Sequence, residues 1–494
     1  MIDFEKAKQF FIEGIKAVEK KDFQDAENQF TRSLELIPDR VSTLNNLSAI
    51  KNRLKKFQEA EALARKAVGL ECTSREAWLN LGLALGNLNN LEGCENLKET
   101  LRACESALKL NSSQYEVLYA KSLILAGLKQ PEEAKATYQK AIETRAASSP
   151  TFTTERRASQ KAEVLVVNQN PAFNTALKPF EALHLDANFP GQLARILNED
   201  YHFTYVFKSG VISRTIRQQI PKPDFIINNN ASGESLLTAD GLSEFIEALE
   251  SFGVPIVNHP DQVIQTTRDA SVRCLMDIPG ILLPKTERFC STGKSREALV
   301  REIEKQYNYP LITRTLTAQE GKGMTRVDSR AAVSAVLDSD FAENFFVTAF
   351  VDSRHGNPFY RKIRAAFVKD DFTIVRVDYD TNWNVHGRKS DERVKFYLEN
   401  SSLLAREKQI CADPENTLGS SAIQSLRAMR GRIPLDIFGV DFDVDADGRL
   451  VFYEANASMN LFSTAREEVP HPSSADDALT LAIQRYFTSL TARR

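Results

Sequence analysis

Asp441 and Glu454 are the carboxylates in this chain whose spacing best suits a bound cation. Val440, Phe442 and Val444 alternate with Asp441, Asp443 and Asp445, the period of a half-buried strand. Asp445-Ala-Asp-Gly448 is a turn signal, and Leu450 to Tyr453 reads as the returning strand. A four-residue loop at 446–449 places Asp441 directly opposite Glu454 on one face. Two like charges so placed are destabilising on their own, and a cation between them reverses that. Mg²⁺ takes one or two carboxylates together with substrate phosphates. Asn456, two residues on, adds a neutral oxygen on the same face.

Two other readings fit the same stretch. One is a solvated acidic hairpin. The other is an EF-hand calcium loop, because Asp443-x-Asp445-x-Asp447-Gly448-x5-Glu454 satisfies that pattern. An EF-hand requires a helix on each side. Upstream, Ile433 to Val440 holds Pro, Gly and β-branched residues at strand-like spacing, and Ala455 to Asn460 downstream has no apolar 3.6 period.

An Asp, thirteen residues to a Glu, then x-Asn across a short hairpin resembles the metal-binding end of the ATP-grasp superfamily. The resemblance implies ATP and Mg²⁺ (or Mn²⁺) as cofactors, an acyl-phosphate made from a carboxylate, and attack by an amine. It makes Asp441, Glu454 and Asn456 the metal ligands. Further matches run along residues 258–494. Arg268, ahead of Pro284-Lys-Thr286, takes the place of a phosphate-contacting basic residue, with Arg273 and Lys285 behind it. Tyr309-Pro-Leu-Ile-Thr-Arg314 resembles the family's phosphate-lysine strand, with Arg314 where the family has Lys. Arginine keeps the charge and offers a planar fork. Gly321-Lys322-Gly323 sits where the family has a lid whose glycines fold backbone N–H groups over phosphate oxygens. Phe345 to Asp352 resembles the hinge strand, so that Phe350 and Val351 flank adenine and Asp352 takes the ribose.

Phe359 to Val368 is a strand bearing Arg361, Lys362 and Arg364; the last two share a face and Arg361 points the other way. Followed by Trp383-Asn-Val-His386-Gly-Arg388, the group reads as a grip for anions, since arginine forks match carboxylate and phosphate. Arg364 is the candidate for the γ-phosphate or the substrate carboxylate. His386 is the candidate substrate contact, with a purely structural histidine as the alternative. Residues 400–432 read as helix capping the site. The family often has an Arg beside its metal Asp; Val440 holds that place here, so oxyanion charge comes from elsewhere, such as Arg364.

The elements that must position this site come earlier in the chain. Its 494 residues suffice for two to four domains. The net charge of −3 gives no general pull toward nucleic acid or membrane. No apolar run approaches the roughly 18 residues of a membrane span. The six cysteines form no C-x-x-C pair, which fits a reduced, cytoplasmic protein.

Residues 1–148 repeat with a period of 34: Ala26 recurs as Ala60 and, with six extra residues near Asn89 to Lys98, as Ala134. Ser33, Ala67, Ala107 and Ala141 keep step. Trp78-x2-Leu81-Gly82 matches the tetratricopeptide repeat (TPR) signature, and four repeats are expected at 7–40, 41–74, 75–114 and 115–148. Such a stack implies a surface for a peptide or protein. Residues 149–160, rich in small and hydroxylated residues, form a linker. Between 161 and 257, strands at 162–168, 203–207, 224–228 and 254–257 and helices at 191–198 and 242–252 imply a parallel sheet. Asn228 to Gly233 follows a strand end, where α/β ligands bind, and reads equally as a plain polar turn.

The expected fold is an all-α TPR solenoid, then an α/β Rossmann-like pre-domain (161–257), then an α+β ATP-grasp fold (258–494). The expected function is a Mg·ATP-dependent carboxylate–amine ligase, with the repeats recruiting a peptide or protein. Two rivals remain: a TPR scaffold with a regulatory or degenerate ATP module, and an ATP-grasp kinase that leaves phosphate on its substrate.

Overall fold

The computed structural model describes residues 2–20, 22–87, 97–148, 151–153, 156–169, 193, 196–197, 199–230, 232–238, 241–316, 323–338, 344–354, 356–385, 390–457, 459–462 and 473–492. They fall into two compact units.

Among the described residues 2–148, the first unit holds eight helices, α1 (Ile2–Glu19), α2 (Phe23–Leu36), α3 (Val41–Arg53), α4 (Phe57–Leu70), α5 (Arg75–Asn87), α6 (Leu97–Leu110), α7 (Tyr115–Gly127) and α8 (Pro131–Ser148). The small residues that mark the period are where the helices meet. Ala26, Ala60, Ala107 and Ala141 are all buried. A Cβ on Gly14 would stand 2.6 Å from the Phe30 ring, and one on Gly82 would stand 2.8 Å from Tyr119. These glycines are close-approach positions rather than turns. The expected insertion near 89–98 falls mostly outside the described residues. Phe207–Ile220, which the sequence assigns to the α/β layer, clusters with this first unit.

The second unit contains three sheets. The first has the order β1 (Thr151–Thr153), β3 (Tyr201–Phe207), β2 (Ala162–Asn168), β4 (Phe225–Asn229), β5 (Ile256–Val257). Pairs β2/β4 and β4/β5 are parallel, as continuous apolar strands joined by helices should be. The helix expected at 191–198 lies mostly outside the described residues.

The second sheet is antiparallel, in the order β7 (Thr286–Cys290), β10 (Asn344–Ala349), β8 (Leu311–Thr315), β9 (Met324–Val327). Residues from helices Arg296–Glu304 and Arg330–Asp338 share its apolar core. The third sheet runs β12 (Asp371–Asp380), β11 (Tyr360–Val368), β13 (Ile437–Val444), β14 (Leu450–Asn456), β6 (Ile281–Leu282).

The sequence boundary at 257/258 does not divide two cores. One apolar cluster takes Val164 and Phe225 from the first sheet, Ala366 and Ile437 from the third, and Leu479, Ile483 and Phe487 from helix Ser473–Thr491. Phe487 meets Phe225 at 4.7 Å and Tyr201 edge-on at 5.5 Å. Asn258 pins the two sheets together. Its N–H donates to Asp436 Oδ2 (2.8 Å), its Nδ2 donates to Ile437 O (2.7 Å), and its Oδ1 accepts from the N–H groups of Asp436 and Ile437. The stretch expected to be helical at 400–432 is three helices, Ser401–Ala412, Pro414–Leu418 and Ser420–Met429. The breaks fall at Pro414 and Gly419, where backbone chemistry demands them.

Candidate functional site

The β13–β14 hairpin brings Asp441 opposite Glu454 by a route the sequence does not show. The strands leave five residues between them rather than four, which alone would pair Asp441 with Tyr453. The ladder pairs Val444 with Leu450 and Phe442 with Phe452, then shifts by one residue and pairs Asp441 with Glu454. Tyr453 is the bulged residue without a ladder partner, and such bulges re-aim side chains beside sites.

The strand is not half-buried. All eight residues of β13 are buried, with Asp441 only 2 % and Asp443 only 1 % exposed. A solvated acidic hairpin is therefore excluded. An EF-hand is excluded too, since strands flank the loop and its acids have other partners. Asp443 receives Arg361 Nε at 2.6 Å. Asp445 caps the turn, accepting the N–H groups of Asp447 (3.0 Å) and Arg449 (2.8 Å).

A buried carboxylate must be paired or neutral, and these are paired. Arg364, directly across from Asp441 on β11, donates Nε (2.7 Å) and Nη2 (2.9 Å) to the two Asp441 oxygens. Its Nη1 donates to Asn460 O at 3.0 Å. Lys362 Nζ stands 3.4 Å from Asp441. Burial raises the Asp441 carboxyl, but Arg364 and Lys362 outweigh it and hold it well below the usual range. Arg364 is thus committed to holding Asp441. Lys362, from the same strand face, lines the cavity instead, and so does Arg361.

Glu454 carries the second set. Arg268 Nη2 lies 3.2 Å and Arg314 Nη1 3.5 Å from the same oxygen, Oε2. Burial raises this carboxyl too, and the two guanidiniums reverse it, leaving it ionised below the ordinary value. Arg314 bears the cost: burial, with Arg268 beside it, lowers its guanidinium to about 10. Arg268 is steered from the other side by Glu234, whose Oε1 accepts the Arg268 backbone N–H (2.9 Å) and Nη1 (3.4 Å).

One cavity collects these groups. Arg268, Arg314, Lys362, Asp441, Glu454 and Asn456 line its polar part, and Ile312, Leu316, Met324, Phe350 and Val351 its apolar part. Trp383 meets Phe350 edge-on at 6.2 Å, and the Arg326 guanidinium lies 4.3 Å over the Phe350 ring. The Phe350 N–H donates to Pro310 O at 3.3 Å.

Some expected residues stand apart from the cavity. Asp352 does not line it; it binds Arg354, with Nη2 at 2.6 Å. Gly323 lies at φ +63°, and its carbonyl accepts from the Thr315 N–H at 3.2 Å. Arg273 turns away to Asp269 (3.1 Å) and Lys285 to Gln306 (3.0 Å), leaving Arg268 as the basic residue of that segment at the site. Gly321, Lys322 and His386 lie outside the described residues. Sequence reasoning missed Glu234, one residue past the polar turn it singled out, and passed over Lys362 and Arg361 in favour of Arg364.

The donor set suits a hard divalent ion. Among the described residues no group of three or more His, Cys, Asp or Glu is placed to hold a metal. Two ionised carboxylates facing each other with an amide oxygen nearby is a set that Mg²⁺ completes with ligand phosphates and water. Arg268, Arg314 and Lys362 line the same cavity and carry the positive charge that such phosphates would need.

Residues 115–147 match the tetratricopeptide repeat family model. No curated protein matches the chain. Structural neighbours are ATP-grasp enzymes. A RimK domain protein ATP-grasp from Sphaerobacter thermophilus is 16 % identical over 65 % of this chain and 96 % of its own, with a TM-score of 0.36. The D-alanine–D-alanine ligase of Bacillus anthracis is 12 % identical over 68 % and 100 %, with a TM-score of 0.41. The VanG D-Ala:D-Ser ligase of Enterococcus faecalis is 14 % identical over 67 % and 100 %, with a TM-score of 0.42. Scores this low leave the reading of function to the site's own geometry. Among the described residues no helix is long and apolar enough to cross a membrane.

Proposed function

We propose that this chain is an ATP-dependent ligase that joins a carboxylate to an amine, using Mg²⁺ held by Asp441, Glu454 and Asn456. The observation that carries the reading is the convergence, in one cavity, of two opposed ionised carboxylates and the cations Arg268, Arg314 and Lys362 beside an apolar slot at Phe350 and Val351. An apolar slot next to a cationic cluster suits a nucleoside triphosphate, base in one part and phosphates in the other.

When bound, the metal neutralises phosphate charge. The protein's part is positioning and electrostatics, which dominate phosphoryl transfer. Arg268 and Arg314 leave their shared oxygen on Glu454 for the phosphates. Arg364 keeps Asp441 ionised and aimed, and acts through it rather than on substrate. Lys362 contacts the transferring group. A substrate carboxylate oxygen attacks the γ-phosphorus, the bond to the β,γ-bridging oxygen breaks, and ADP leaves. The acyl-phosphate is then opened by the amine, which loses a proton as phosphate departs. By the same reading the Gly321-Lys322-Gly323 loop folds over the phosphates, His386 contacts the substrate, and Asp352 takes the ribose once Arg354 releases it. The repeats recruit a peptide or protein partner.

Calorimetry with ATP, with and without Mg²⁺, on the wild type and Glu454→Ala tests the reading. Binding that needs Mg²⁺ and weakens in the variant is expected. Absence of nucleotide binding in both proteins would return the function to the repeats. Product analysis separates ligase from kinase: an amide with ADP and free phosphate against a phosphorylated substrate.

A further inference from the structure

The apolar slot carries two hydroxyls that the phosphate and metal chemistry leaves unused. Thr348 on β10 pairs across the second sheet with Thr286 of β7 on one side and with Ile312 of β8 on the other. Residues paired in this way share a sheet face, and all three line the cavity. Both threonines are half-buried, so neither is sealed in the core.

The two hydroxyls form a chain with a fixed direction. Thr286 Oγ1 donates to Pro284 O at 3.0 Å and lies 3.1 Å from Thr348 Oγ1. A threonine hydroxyl has one proton and two lone pairs, and a carbonyl only accepts. The Thr286 proton is therefore spent on Pro284, and the proton between the two threonines belongs to Thr348. Thr348 Oγ1 keeps only lone pairs to offer the cavity. The backbone donors that follow are spent as well, Ala349 N–H on Lys285 O (2.9 Å) and Phe350 N–H on Pro310 O (3.3 Å). At Thr348, then, the slot accepts hydrogen bonds and does not give them.

We propose that Thr286 sets which nucleobase this chain takes, acting through Thr348 without touching the base itself. The proposal rests on the nucleotide reading above and concerns the choice the same cavity makes among triphosphates. An acceptor at Thr348 meets the amino group of a 6-aminopurine with one hydrogen bond. A 6-oxopurine brings a carbonyl to the same place, and two acceptors then face each other with no proton between them. Polar groups left unpaired in this way cost more than a hydrogen bond gains, which is why such sites reject the mismatched analogue. The choice is written one strand away from the base, in whether Thr286 has a lone pair to take the Thr348 proton. Thr286 is thus a positioning residue, and what it positions is a single hydrogen.

The test is calorimetry on the full-length protein with Mg²⁺ and three triphosphates: ATP, ITP, and that of purine riboside, which has no 6-substituent. The wild type should bind ATP about tenfold to a hundredfold tighter than ITP, with the purine riboside compound between them, since it loses the bond without bringing a second acceptor. Thr286→Val keeps the shape and removes the lone pairs. The Thr348 proton is then free to turn into the cavity, so ITP affinity should rise about threefold to tenfold while ATP affinity holds. Thr286→Ser restores the chain of hydroxyls and should restore the preference. A merely structural role for Thr286 would move all three ligands alike and leave their ratios unchanged. Should the wild type bind ITP as well as ATP, or should Thr286→Val keep the wild-type ratio, the assignment is overturned and the ligase reading stands. If Thr286→Val does not fold, the purine riboside compound decides: binding equal to ATP, or no better than ITP, overturns the assignment. Should no triphosphate bind the wild type, both are overturned.

Discussion

Arg268 and Arg314 converge on a single atom, Oε2 of Glu454, at 3.2 and 3.5 Å. Two guanidiniums on one carboxylate oxygen make an incomplete neutralisation, and a polyanion completes it. Glu454→Gln removes the shared negative charge and leaves both cations facing a neutral amide. Anion affinity without Mg²⁺ should then rise or hold, while the enhancement of ATP affinity by Mg²⁺ disappears. Calorimetry with ATP and with inorganic pyrophosphate, each with and without Mg²⁺, reads the two effects separately.

Arg314 gives the site a pH signature. Burial and Arg268 lower its guanidinium from the ordinary arginine range to about 10. Between those values the unfolded chain holds a proton that the folded chain has lost, so this group's contribution to stability rises with pH across that window. Its burial cost is present in full at neutral pH, where a bound phosphate offsets it. ATP affinity should fall as pH rises through about 10. Arg314→Lys begins from an ammonium near 10.4 and meets the same burial, so its affinity should fall at lower pH than the wild type. An affinity–pH profile that is the same for both proteins would remove Arg314 from the phosphate site.

Asp441 behaves in the opposite sense. Its native value lies below its ordinary 3.8, so the stability it contributes is complete above that pH and is lost as pH falls through the native value. Asp441→Asn leaves Arg364 buried against an amide, a loss of about 3–5 kcal/mol by analogy with other broken buried pairs. The double variant Asp441→Asn/Arg364→Met should recover part of that loss, because the stranded charge goes too. Urea unfolding of the two single variants and the double variant gives the coupling; additive losses would mean the two residues do not share one interaction.

Gly439, two residues before Asp441 on β13, packs too closely for a side chain. A Cβ at Gly439 would stand 2.6 Å from Met459 Sδ and 2.8 Å from Met459 Cβ. Gly439→Ala should cost about 1–3 kcal/mol through overpacking, and Met459→Ala in the same chain should relieve it. If Gly439→Ala melts like the wild type, the close packing of residues 459–461 on this strand is not rigid.

Much of this was legible in sequence because it rests on short-range chemistry. The Asp441/Glu454 pair was found from alternation and a turn signal, although a five-residue gap and a bulge at Tyr453 cancel to give the same pairing. Nothing local announces a bulge of that kind. Lys362 and Arg364 share a face, and sequence could not say which would be consumed by Asp441 and which would reach the cavity; that depends on β11 lying beside β13, whose residues are some 77 positions away. Glu234 depended on a contact with Arg268 at a separation of 34 residues and was not visible from its own segment. Strand alternation also understated burial, because the acidic face of β13 is covered by its own ion-pair partners.

Asn258 has a consequence for how the chain is made. Its bonds to Asp436 and Ile437 span 178 and 179 residues. Phe225 and Tyr201 wait still longer, for Phe487 in the last helix. On a ribosome adding roughly 5–20 residues each second, the first sheet would be finished well before the strand and helix that cover it are synthesised. It would spend that interval as an open apolar surface, while the repeats, whose contacts are local and quick to form, fold as they emerge. Chaperone demand during synthesis should therefore fall on residues 161–257 rather than on the helical array.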